Sequence, residues 1–383
     1  MKLPTCSLTK SPSFKEKKIG EIVNIIPRPC KLVEEENYQL VTVKRRNEGI
    51  VSRGIYKGKD IKTPTQFYIK SGDFLISKRQ IVHGACEMVD QRFNDAIVSN
   101  EYTVLRGKED ILETEYFNLM SKSNYMKKQY FLSSYGVDIE KMVFNVADWK
   151  ERPVFIPSVD EQKKIVSFFN LLHKKLKYQQ EKIDLLEEQK KGYMQKLLTE
   201  NQKNTVTYKL GDLFEERSEK GYQDYQLLAV TISKGVTDRS DMKNDSSSQD
   251  KSNYKRVLPN DIAYNSMRMW QGASGLSKYT GIVSPAYTVL KPKENVYSLY
   301  FAYLFKTDFM LYQFKKFSQG LTSDTWNLKY PLLKNIKVKV PSYQEQEQIA
   351  NFFTKIDVKI QLEKNKLEVL KEQKKGFMQK MFI

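Results

Sequence analysis

The stretch Pro157–Leu197, PSVDEQKKIVSFFNLLHKKLKYQQEKIDLLEEQKKGYMQKL, decides the fold, because the chain contains it twice. Pro341–Met381, PSYQEQEQIANFFTKIDVKIQLEKNKLEVLKEQKKGFMQKM, repeats it 184 residues later without a gap. Both copies begin with Pro-Ser-x-x-Glu-Gln-x-x-Ile-x-x-Phe-Phe and end with Glu-Gln-Lys-Lys-Gly-x-Met-Gln-Lys. A match of this length within one chain predicts a tandem duplication.

Both copies have the residue pattern of a long paired helix. Steps of four and three residues, taken from Ile165 and from Ile349, land mostly on apolar side chains to the end of each copy. Such a 3.5-residue repeat predicts a coiled coil, and at 1.5 Å per residue each helix would be roughly 60 Å long. Polar residues interrupt the repeat at two matching points, which are Gln179 with Glu363 and Lys190 with Lys374. Polar residues at such positions fix the register of the pairing.

The start of each helix is marked by its Pro-Ser pair, since proline cannot continue a helix and serine can cap one. The predicted capping boxes consist of Ser158 with Glu161 and of Ser342 with Glu345.

The residues before each helix also repeat, with larger differences. Lys18–Ile22 matches Lys209–Leu213, and Ile97–Leu105 matches Ile282–Leu290. Aromatic and β-branched runs between turn residues predict strands at Glu21–Ile26, Tyr38–Val43, Gln66–Ile69, Asp73–Ser77, Ile97–Leu105 and Val154–Ile156, with a helix at Thr114–Gln129. The predicted fold class is therefore α+β, with two similar modules that are each followed by a long helix. The predicted segments are 1–156, 157–200, 201–340 and 341–383, with a basic lead-in up to about residue 15 and a polar linker at Thr199–Thr207.

The formal net charge of +18 indicates an anionic partner, with nucleic acid before a membrane surface. No apolar run approaches the roughly 20 residues that span a bilayer, and the first residues lack the apolar core of a signal peptide. We therefore expect a cytoplasmic protein that does not bind membranes. Cys6, Cys30 and Cys86 are too few and too widely spaced for a disulfide framework or a paired zinc motif.

The most divergent segments of the two modules are basic loops. Arg and Lys neutralise phosphates, and Arg, Asn and Gln can form two hydrogen bonds with a purine edge. The predicted DNA-binding residues are Lys44, Arg45, Arg46, Arg53, Lys78, Arg79, Gln80 and Arg92 in the first module and Lys234, Lys255, Asn265, Arg268, Trp270 and Gln271 in the second. Any one of them taken alone also fits a solvated surface charge.

Catalytic motifs are missing from the sequence. It has no GxxxxGK[ST] loop, and no GxGxxG follows a strand. Of the two histidines, His173 should face solvent, and His83 lies in a candidate DNA loop, where a packed or solvated role is favoured over DNA contact. Neither predicts a nucleophilic site. We expect a binding protein that is not itself an enzyme and holds no metal.

The shared start and ending of the two long helices resemble those of specificity subunits (HsdS) of type I restriction–modification enzymes. Trp270–Ala273 and Gly281–Tyr287 also resemble one class of the target recognition domains of that family. The first module resembles this class less, because Lys78–Gly84 stands where the second has Ser266–Gly272. The resemblance implies two recognition domains on antiparallel helices, each domain reading one half of a split target in double-stranded DNA.

The resemblance also implies partners. Two copies of the modification (methyltransferase) subunit would dock on the helices and methylate an adenine in each half-site, and a restriction subunit would complete the complex. S-adenosylmethionine, ATP and Mg would be bound by those partners and no cofactor by this chain. Because methylation requires the target base to leave the stack, the modules should help to hold a distorted duplex. The repeated polar residues proposed to bind the partner are Glu161, Gln162, Glu188, Gln189, Lys191, Gln195, Glu345, Gln346, Glu372, Gln373, Lys375 and Gln379.

Two other interpretations fit parts of the pattern. A coiled-coil scaffold or regulatory protein would bind protein or RNA through the basic modules. A self-contained restriction–modification enzyme is disfavoured because methyltransferase and nuclease motifs are missing. Salt-sensitive, duplex-selective DNA binding would distinguish the DNA-reading interpretation from the scaffold.

Overall fold

The computed structural model describes residues 14–200, 204–239 and 250–382. The predicted lead-in up to residue 13, Cys6 and linker residues 201–203 lie outside this range. The chain divides into two compact units, which we call unit 1 (Met1–Tyr178 with Leu367–Ile383) and unit 2 (Gln179–Lys366). Each unit joins one module to segments of both long helices, whereas the four predicted segments separate modules from helices.

Unit 1 contains a mixture of short strands and helices. Its strands are β1 (Lys15–Lys18), β2 (Val23–Ile25), β3 (Pro29–Cys30), β4 (Asn37–Val43), β5 (Ile50–Lys57), β6 (Gln66–Tyr68), β7 (Phe74–Ser77), β8 (Cys86–Met88), β9 (Ile97–Ser99), β10 (Tyr102–Gly107), β11 (Ser134–Tyr135), β12 (Val143–Phe144) and β13 (Pro153–Ile156). Its helices are α1 (Ile19–Ile22), α2 (Thr114–Met120), α3 (Asn124–Leu132), α4 (Val146–Lys150) and the first part of α5 (Val159–Gln195).

Two sheets carry the core of unit 1. One has the strand order β2-β10-β7-β8 and the other β3-β6-β9-β4-β5. All four residues of β7 are buried. Successive side chains of a strand point to opposite faces, and both faces of β7 are covered. Phe74 and Ile76 pack into the core that contains Trp149, and Leu75 packs into a second core with Val98.

Unit 2 repeats this plan. Its elements are β14 (Val206–Lys209), α6 (Leu210–Leu213), β15 (Phe214–Glu216), β16 (Leu228–Thr231), β17 (Gly235–Asp238), β18 (Lys255–Val257), β19 (Ile262–Asn265), β20 (Ser274–Leu276), β21 (Gly281–Val283), β22 (Tyr287–Pro292), α7 (Ser298–Leu304), α8 (Asp308–Phe317), α9 (Tyr330–Leu333), β23 (Lys337–Val340) and α10 (Tyr343–Met381), whose last turns belong to unit 1.

The sheet order β15-β22-β19-β20 reproduces β2-β10-β7-β8, and the pair β14-β23 reproduces β1-β13. A parallel bridge between Leu227 and Ile282 corresponds to the parallel pairing of Leu40 with Ile97 in unit 1. The duplication predicted from the sequence therefore extends to strand order and direction. The α+β fold class with two similar modules is confirmed.

Three predicted element boundaries were wrong for local reasons. The start of the predicted strand Glu21–Ile26 lies in the helical turn α1, where the carboxylate of Glu21 accepts a hydrogen bond from the Lys18 backbone N–H. The predicted strand Ile97–Leu105 is two strands separated by a turn. The predicted helix Thr114–Gln129 is two helices, because the Ser123 hydroxyl caps a new helix by accepting a hydrogen bond from Met126 N–H.

Equivalent turns in the two units each bury an ion pair. Asp261 in unit 2 is buried and accepts hydrogen bonds from Arg217 Nε at 2.7 Å and Arg217 Nη2 at 3.2 Å. Asp73 in unit 1 is buried and accepts from Arg28 Nη1 at 2.5 Å and Arg106 Nε at 2.6 Å. Each aspartate also accepts a backbone N–H three residues earlier in the chain. These pairs fix the turn that begins β7 or β19.

The long helices α5 and α10 contact each other within each unit. In unit 1, the Phe168 ring lies 4.9 Å from that of Phe377. In unit 2, Gln179 Nε2 donates to Glu363 Oε2 at 2.7 Å, and Lys190 Nζ donates to Asp357 Oδ1 at 2.6 Å. Residue numbers rise along α5 while those of the partners in unit 2 fall, so these helix segments are antiparallel. A coiled coil remains the predicted form of the pairing.

The capping boxes predicted at the helix starts are incomplete. At the start of α10, the Ser342 hydroxyl accepts a hydrogen bond from Glu345 N–H at 3.4 Å. At the start of α5, it is the carbonyl oxygen of Ser158 that accepts from Glu161 N–H. The Glu161 carboxylate bonds instead with Lys164 Nζ at 3.1 Å.

Glu363 gives the helix contact in unit 2 a predicted pH dependence. Hydrogen bonds from Gln179, Lys366 and Lys182 lower the pKa of Glu363 to about 2 from its usual 4.5. Its stabilising effect should be complete above about pH 4.5 and lost as the pH falls towards 2. Glu363→Gln should lower the free energy of unfolding at pH 7 by about 1–2 kcal/mol and flatten this acid limb. Urea unfolding between pH 7 and pH 2 tests this prediction, with the exposed Glu368→Gln as control. If Glu363→Gln loses as much stability at low pH as the unmodified chain, Glu363 is not the cause of the pH dependence.

Candidate nucleic-acid interface and partner surface

Equivalent loops follow β7 and β19. Each loop contains one 3₁₀ turn, Ile81–His83 or Met269–Gln271, whose first side chain is buried. Each turn ends at a glycine in the left-handed region, with φ of 78° at Gly84 and 84° at Gly272. The anchors are alike, whereas the side chains between them differ between the units. We call these segments, Lys78–Gly84 and Ser266–Gly272, the recognition loops.

In unit 1, the fold brings three predicted DNA-binding residues together. Arg45 Nε donates to Gln80 Oε1 at 2.6 Å, and Arg46 lines the same cleft of about 510 Å³. His83 and Lys127 also line this cleft, although neither was among the predicted DNA-binding residues. The sequence did not predict this proximity, because these residues lie far apart along the chain. The result is a basic cleft beside the recognition loop.

One carboxylate moderates this basic cleft. Glu140 Oε2 accepts from Arg45 Nη2 at 2.6 Å, and Glu140 Oε1 lies 3.2 Å from His83 Nε2. The arrangement holds Arg45 in place and leaves the exposed Arg46 for an incoming anion.

The other predicted residues of unit 1 are dispersed. Lys44 and Arg53 are exposed, and Arg53 lines a separate cleft of about 440 Å³. Lys78 Nζ donates to the Asn100 carbonyl at 2.7 Å, and Arg79 Nε donates to Glu101 at 2.7 Å. Arg92 is bound by its neighbour Asp90, whose pKa it lowers through hydrogen bonds. None of these five joins the cleft of Arg45.

In unit 2, the recognition loop carries three of the six predicted residues, and Asn265 directly precedes it. Arg268 is exposed and its Nη1 makes a long 3.4 Å hydrogen bond with Gln271 Oε1, which leaves both groups able to exchange it for a base edge. Trp270 packs edge-to-face on Trp326, with ring centroids 5.1 Å apart. Asn265 has a structural role, since its Oδ1 accepts from Met267 N–H at 3.0 Å.

Lys255, also predicted to contact DNA, is largely covered and paired within the chain. Its side chain is only 16% exposed, and its Nζ donates to Glu216 Oε1 at 3.1 Å and to the Tyr287 carbonyl at 3.0 Å. The ion pair joins strands β15 and β18, so the position of Lys255 is explained by a contact within the chain. Lys234, in contrast, is exposed in the turn between β16 and β17.

Sequence reasoning missed the aromatic contacts of two cations in unit 2. The Arg256 guanidinium lies 4.5 Å from the Tyr222 ring centroid and donates to Glu219 at 2.9 Å. Lys315 Nζ lies 5.2 Å from the centroid of Trp326. No local motif links these residues, since each contact joins separate segments of the chain.

Two of the residues proposed to bind a partner, Gln162 and Gln346, are buried and bonded within the chain. Gln162 Nε2 donates to the carbonyls of Pro157 and Ile111, both at 2.9 Å, and its Oε1 accepts from Glu113 N–H at 2.9 Å. Gln346 repeats this pattern with Pro341 and Tyr297. Both glutamines recur because they tie the start of a long helix to its module.

The nearby glutamates are partly covered. Glu161 and Glu345 are intermediate in exposure, and Glu161 pairs with Lys164 as described above. Their backbone positions at the helix starts also account for their repetition.

The remaining eight proposed partner residues are exposed. They form two equal sets at the ends of the long helices, namely Glu188, Gln189, Lys191 and Gln195 on α5 and Glu372, Gln373, Lys375 and Gln379 on α10. Folding of the helices does not require exposed residues to be alike, so this repetition points to a shared surface.

Part of each exposed set lines a cleft beside the module in its own unit. The unit 1 cleft, of about 720 Å³, includes Lys122, Ser123, Asn124, Tyr125, Lys375, Met378 and Gln379. The unit 2 cleft, of about 260 Å³, includes Lys306, Thr307, Asp308, Phe309, Lys191, Met194 and Gln195 at the corresponding positions. We call them the paired clefts. Each is built from the end of one long helix and the start of α3 or α8.

Both paired clefts contain a crowded lysine environment. Burial and the nearby charge of Lys190 lower the pKa of Lys306 to about 8. Burial and Lys122 lower the pKa of Lys374, which lines the unit 1 cleft. Partners within the chain offset part of this crowding, since Lys306 Nζ donates to the Ile232 carbonyl at 3.1 Å and Lys122 Nζ to Glu87 at 2.9 Å.

Within the described ranges, no helix is long and apolar enough to cross a membrane. Among the same residues, Cys30 and Cys86 are free and buried.

Comparisons with known proteins agree with this architecture. The HsdS subunit of Thermoanaerobacter tengcongensis has a similar fold, with a TM-score of 0.57 at 14% identity over 97% of both chains. The type I restriction–modification S subunit of M. genitalium gives a TM-score of 0.55 at 14% identity over 98% of both chains. At this identity, the likeness shows the fold alone.

Sequence comparison supplies the family. The type I restriction enzyme MjaIX specificity subunit of Methanocaldococcus jannaschii is 30% identical over 117 residues, which cover 30% of this chain and 27% of that protein. The family model for the type I restriction modification DNA specificity domain matches residues 13–188 and again residues 202–372. Since the two matches span both modules and most of both long helices, the chain belongs to the specificity-subunit (HsdS) family of type I restriction–modification systems.

Proposed function

We propose that this chain reads a bipartite DNA target, with each unit recognising one half-site through its recognition loop. The observation that carries the proposal is the combination of a shared loop framework with different loop chemistry. The same strand, buried anchor and left-handed glycine present Arg79 and Gln80 in unit 1 but Arg268 and Gln271 in unit 2. One framework with two sets of base-reading groups suits an asymmetric target.

The long helices would set the gap between the half-sites and dock the modification subunits. Support for docking comes from the paired clefts, which place Lys191 and Gln195 in unit 2 as Lys375 and Gln379 are placed in unit 1. Two equivalent surfaces on one chain suit two copies of one partner. A restriction subunit would join the same complex in the cytoplasm.

The chemistry would belong to the partners. S-adenosylmethionine for methylation, and ATP with Mg for restriction, would be bound outside this chain. The chain contributes binding and positioning, for which basic and hydrogen-bonding side chains are sufficient. It would therefore act as a non-catalytic subunit.

Salt dependence of duplex binding tests this function against a protein- or RNA-binding scaffold. A complex that contacts six to ten phosphates should lose roughly 10³- to 10⁵-fold in DNA affinity between 50 and 200 mM salt. We expect this loss of DNA affinity for the complex of the chain with its modification subunit, measured by the fluorescence anisotropy of labelled DNA. Duplex RNA of matched length serves as the control ligand. A weak salt dependence, or equal affinity for RNA, would favour the scaffold.

A further inference from the structure

Two aliphatic side chains are almost completely exposed, one in each unit. The relative accessibility is 97% for Val137 and 101% for Leu321, whereas the next large apolar residue of the described ranges, Ile55, reaches 70%. Val137 and Leu321 are separated by the 184 residues that separate the two copies of the long helix. Single exposed apolar residues are common, but full exposure at equivalent positions of both modules calls for a shared role.

Both residues lie at the tip of equivalent hairpins. Tyr135 pairs with Val143 in unit 1, and Gln319 pairs with Asn327 in the same register in unit 2. A glycine precedes each aliphatic residue and packs against the chain five residues later. A Cβ on Gly136 would lie 2.7 Å from the Lys141 carbonyl oxygen, and one on Gly320 would lie 2.6 Å from that of Thr325. Each tip is therefore a closed loop with one almost completely exposed aliphatic side chain, and in unit 1 Ile139 of the same tip is half exposed as well.

Both hairpins are attached to the recognition loops. Phe144 N–H donates to the Lys78 carbonyl, and Leu328 N–H donates to the Ser266 carbonyl, each at 2.9 Å. Side chains add a second contact, between Glu140 and His83 in unit 1 and between Trp326 and Trp270 in unit 2. The exposed aliphatic residue therefore has a fixed position relative to the groups proposed to read bases.

The surroundings of Leu321 suit DNA better than a protein partner. Its chain neighbours from Gln319 to Thr325 include no other large apolar residue, and Lys315 lies on Trp326 at the base of the hairpin. Protein interfaces are built around a contiguous desolvated patch, with charged residues depleted at its centre. The lone aliphatic tip of unit 2, beside cations, instead resembles the wedges that proteins insert between base pairs. In unit 1, the cleft beside the hairpin is lined by Arg46 and Lys127 together with Glu140 of the hairpin itself.

We propose that Leu321 and Val137 are DNA wedges, each inserting between base pairs at the half-site read by its own unit. The inserted side chain packs against the neighbouring bases where a base has left the helix and no longer stacks on them, which makes that opening less unfavourable. This inference rests on the proposed function, since it assumes that the recognition loops bind DNA. Leu321 and Val137 would be positioning residues, because the methyl transfer itself occurs in the partner.

The test uses the full chain in complex with its modification subunit and S-adenosylmethionine. The substrate is a duplex that carries both half-sites, whose sequences are first identified by mapping methylated adenines. For the fluorescence assay, 2-aminopurine replaces the target adenine of one half-site. Leu321→Ala should reduce the 2-aminopurine signal towards that of free duplex and slow methylation about tenfold at one half-site only. Val137→Ala should do the same at the other half-site. Leu321→Met should keep the 2-aminopurine fluorescence and the methylation rate of the unmodified complex. The exposed Val206→Ala serves as control.

The outcomes separate the wedge from the proposed function. If the unmodified complex neither binds nor methylates DNA, the proposed function fails. If it does both and Leu321→Ala leaves fluorescence and methylation unchanged, the wedge alone is refuted. Loss of co-purification with the modification subunit in Leu321→Ala would instead assign the tip to a protein interface. Because Leu321 is fully exposed, the melting temperature should not change.

Discussion

The variant Lys191→Glu with Gln195→Glu should bind one copy of the modification subunit instead of two. The two changes place negative charge in the unit 2 cleft, where Lys191 and Gln195 line the wall, and leave the unit 1 cleft intact. Reversing a contact charge should weaken binding at that site by at least about 30-fold, or about 2 kcal/mol. Adding Lys375→Glu and Gln379→Glu should abolish binding. Native mass spectrometry of the co-expressed proteins reports both stoichiometries.

Lys174→Glu is the matched control for this experiment. Lys174 is exposed on the same helix α5 but is replaced by valine at the corresponding position 358, so it is not part of the repeated set. It should leave two partners bound. Retention of two copies by the quadruple variant would show that the paired clefts are not the docking sites.

Arg217→Met should cause the largest loss of stability. It removes the partner of the buried Asp261 and leaves that carboxylate without compensating charge, which costs about 3–5 kcal/mol. Burial already raises the pKa of Asp261, and removing Arg217 should raise it further. A carboxyl whose folded-state pKa is raised is more destabilising at high pH, so the loss should be smaller at pH 5 than at pH 8. Urea unfolding at the two pH values measures both effects.

Two comparisons make the Arg217 result specific. Lys291→Met removes an ion pair with Glu215 that is half exposed on both sides, and should cost far less stability than Arg217→Met. Arg217→Met combined with Asp261→Asn should be less damaging than Arg217→Met alone, because no buried charge is left unpaired. Equal losses for Arg217→Met and Lys291→Met would mean that the buried pair contributes no more than a surface pair.

The architecture was accessible from the sequence because duplication makes each feature visible twice. A 3.5-residue repeat predicts a long helix whatever surrounds it, and two copies predict two such helices. Matching runs such as Ile97–Leu105 and Ile282–Leu290 likewise predicted that the modules share a fold. Boundaries were less accessible, because a single cap such as Ser123 divides a helix without disturbing the apolar pattern around it.

The site was only partly accessible, because repetition does not reveal exposure. Gln162 and Lys191 both recur in the second copy, yet Gln162 is buried in a network of backbone hydrogen bonds and Lys191 is exposed. Likewise, a basic loop does not reveal whether a cation has a partner within the chain. Lys255 has one in Glu216, whereas Arg46 stands at an open cleft. Only the tertiary contacts separate these cases.

The claim that two units read two half-sites is tested most directly by mapping methylated adenines. The chain and its modification subunit would be co-expressed in a host free of DNA methylation, followed by single-molecule sequencing of the genome. The account predicts one split motif, with two different half-sites and a constant gap, and replacing residues 1–156 by the corresponding module of a relative should change one half only. A continuous motif, or no methylation by a complex that co-purifies intact, would contradict it.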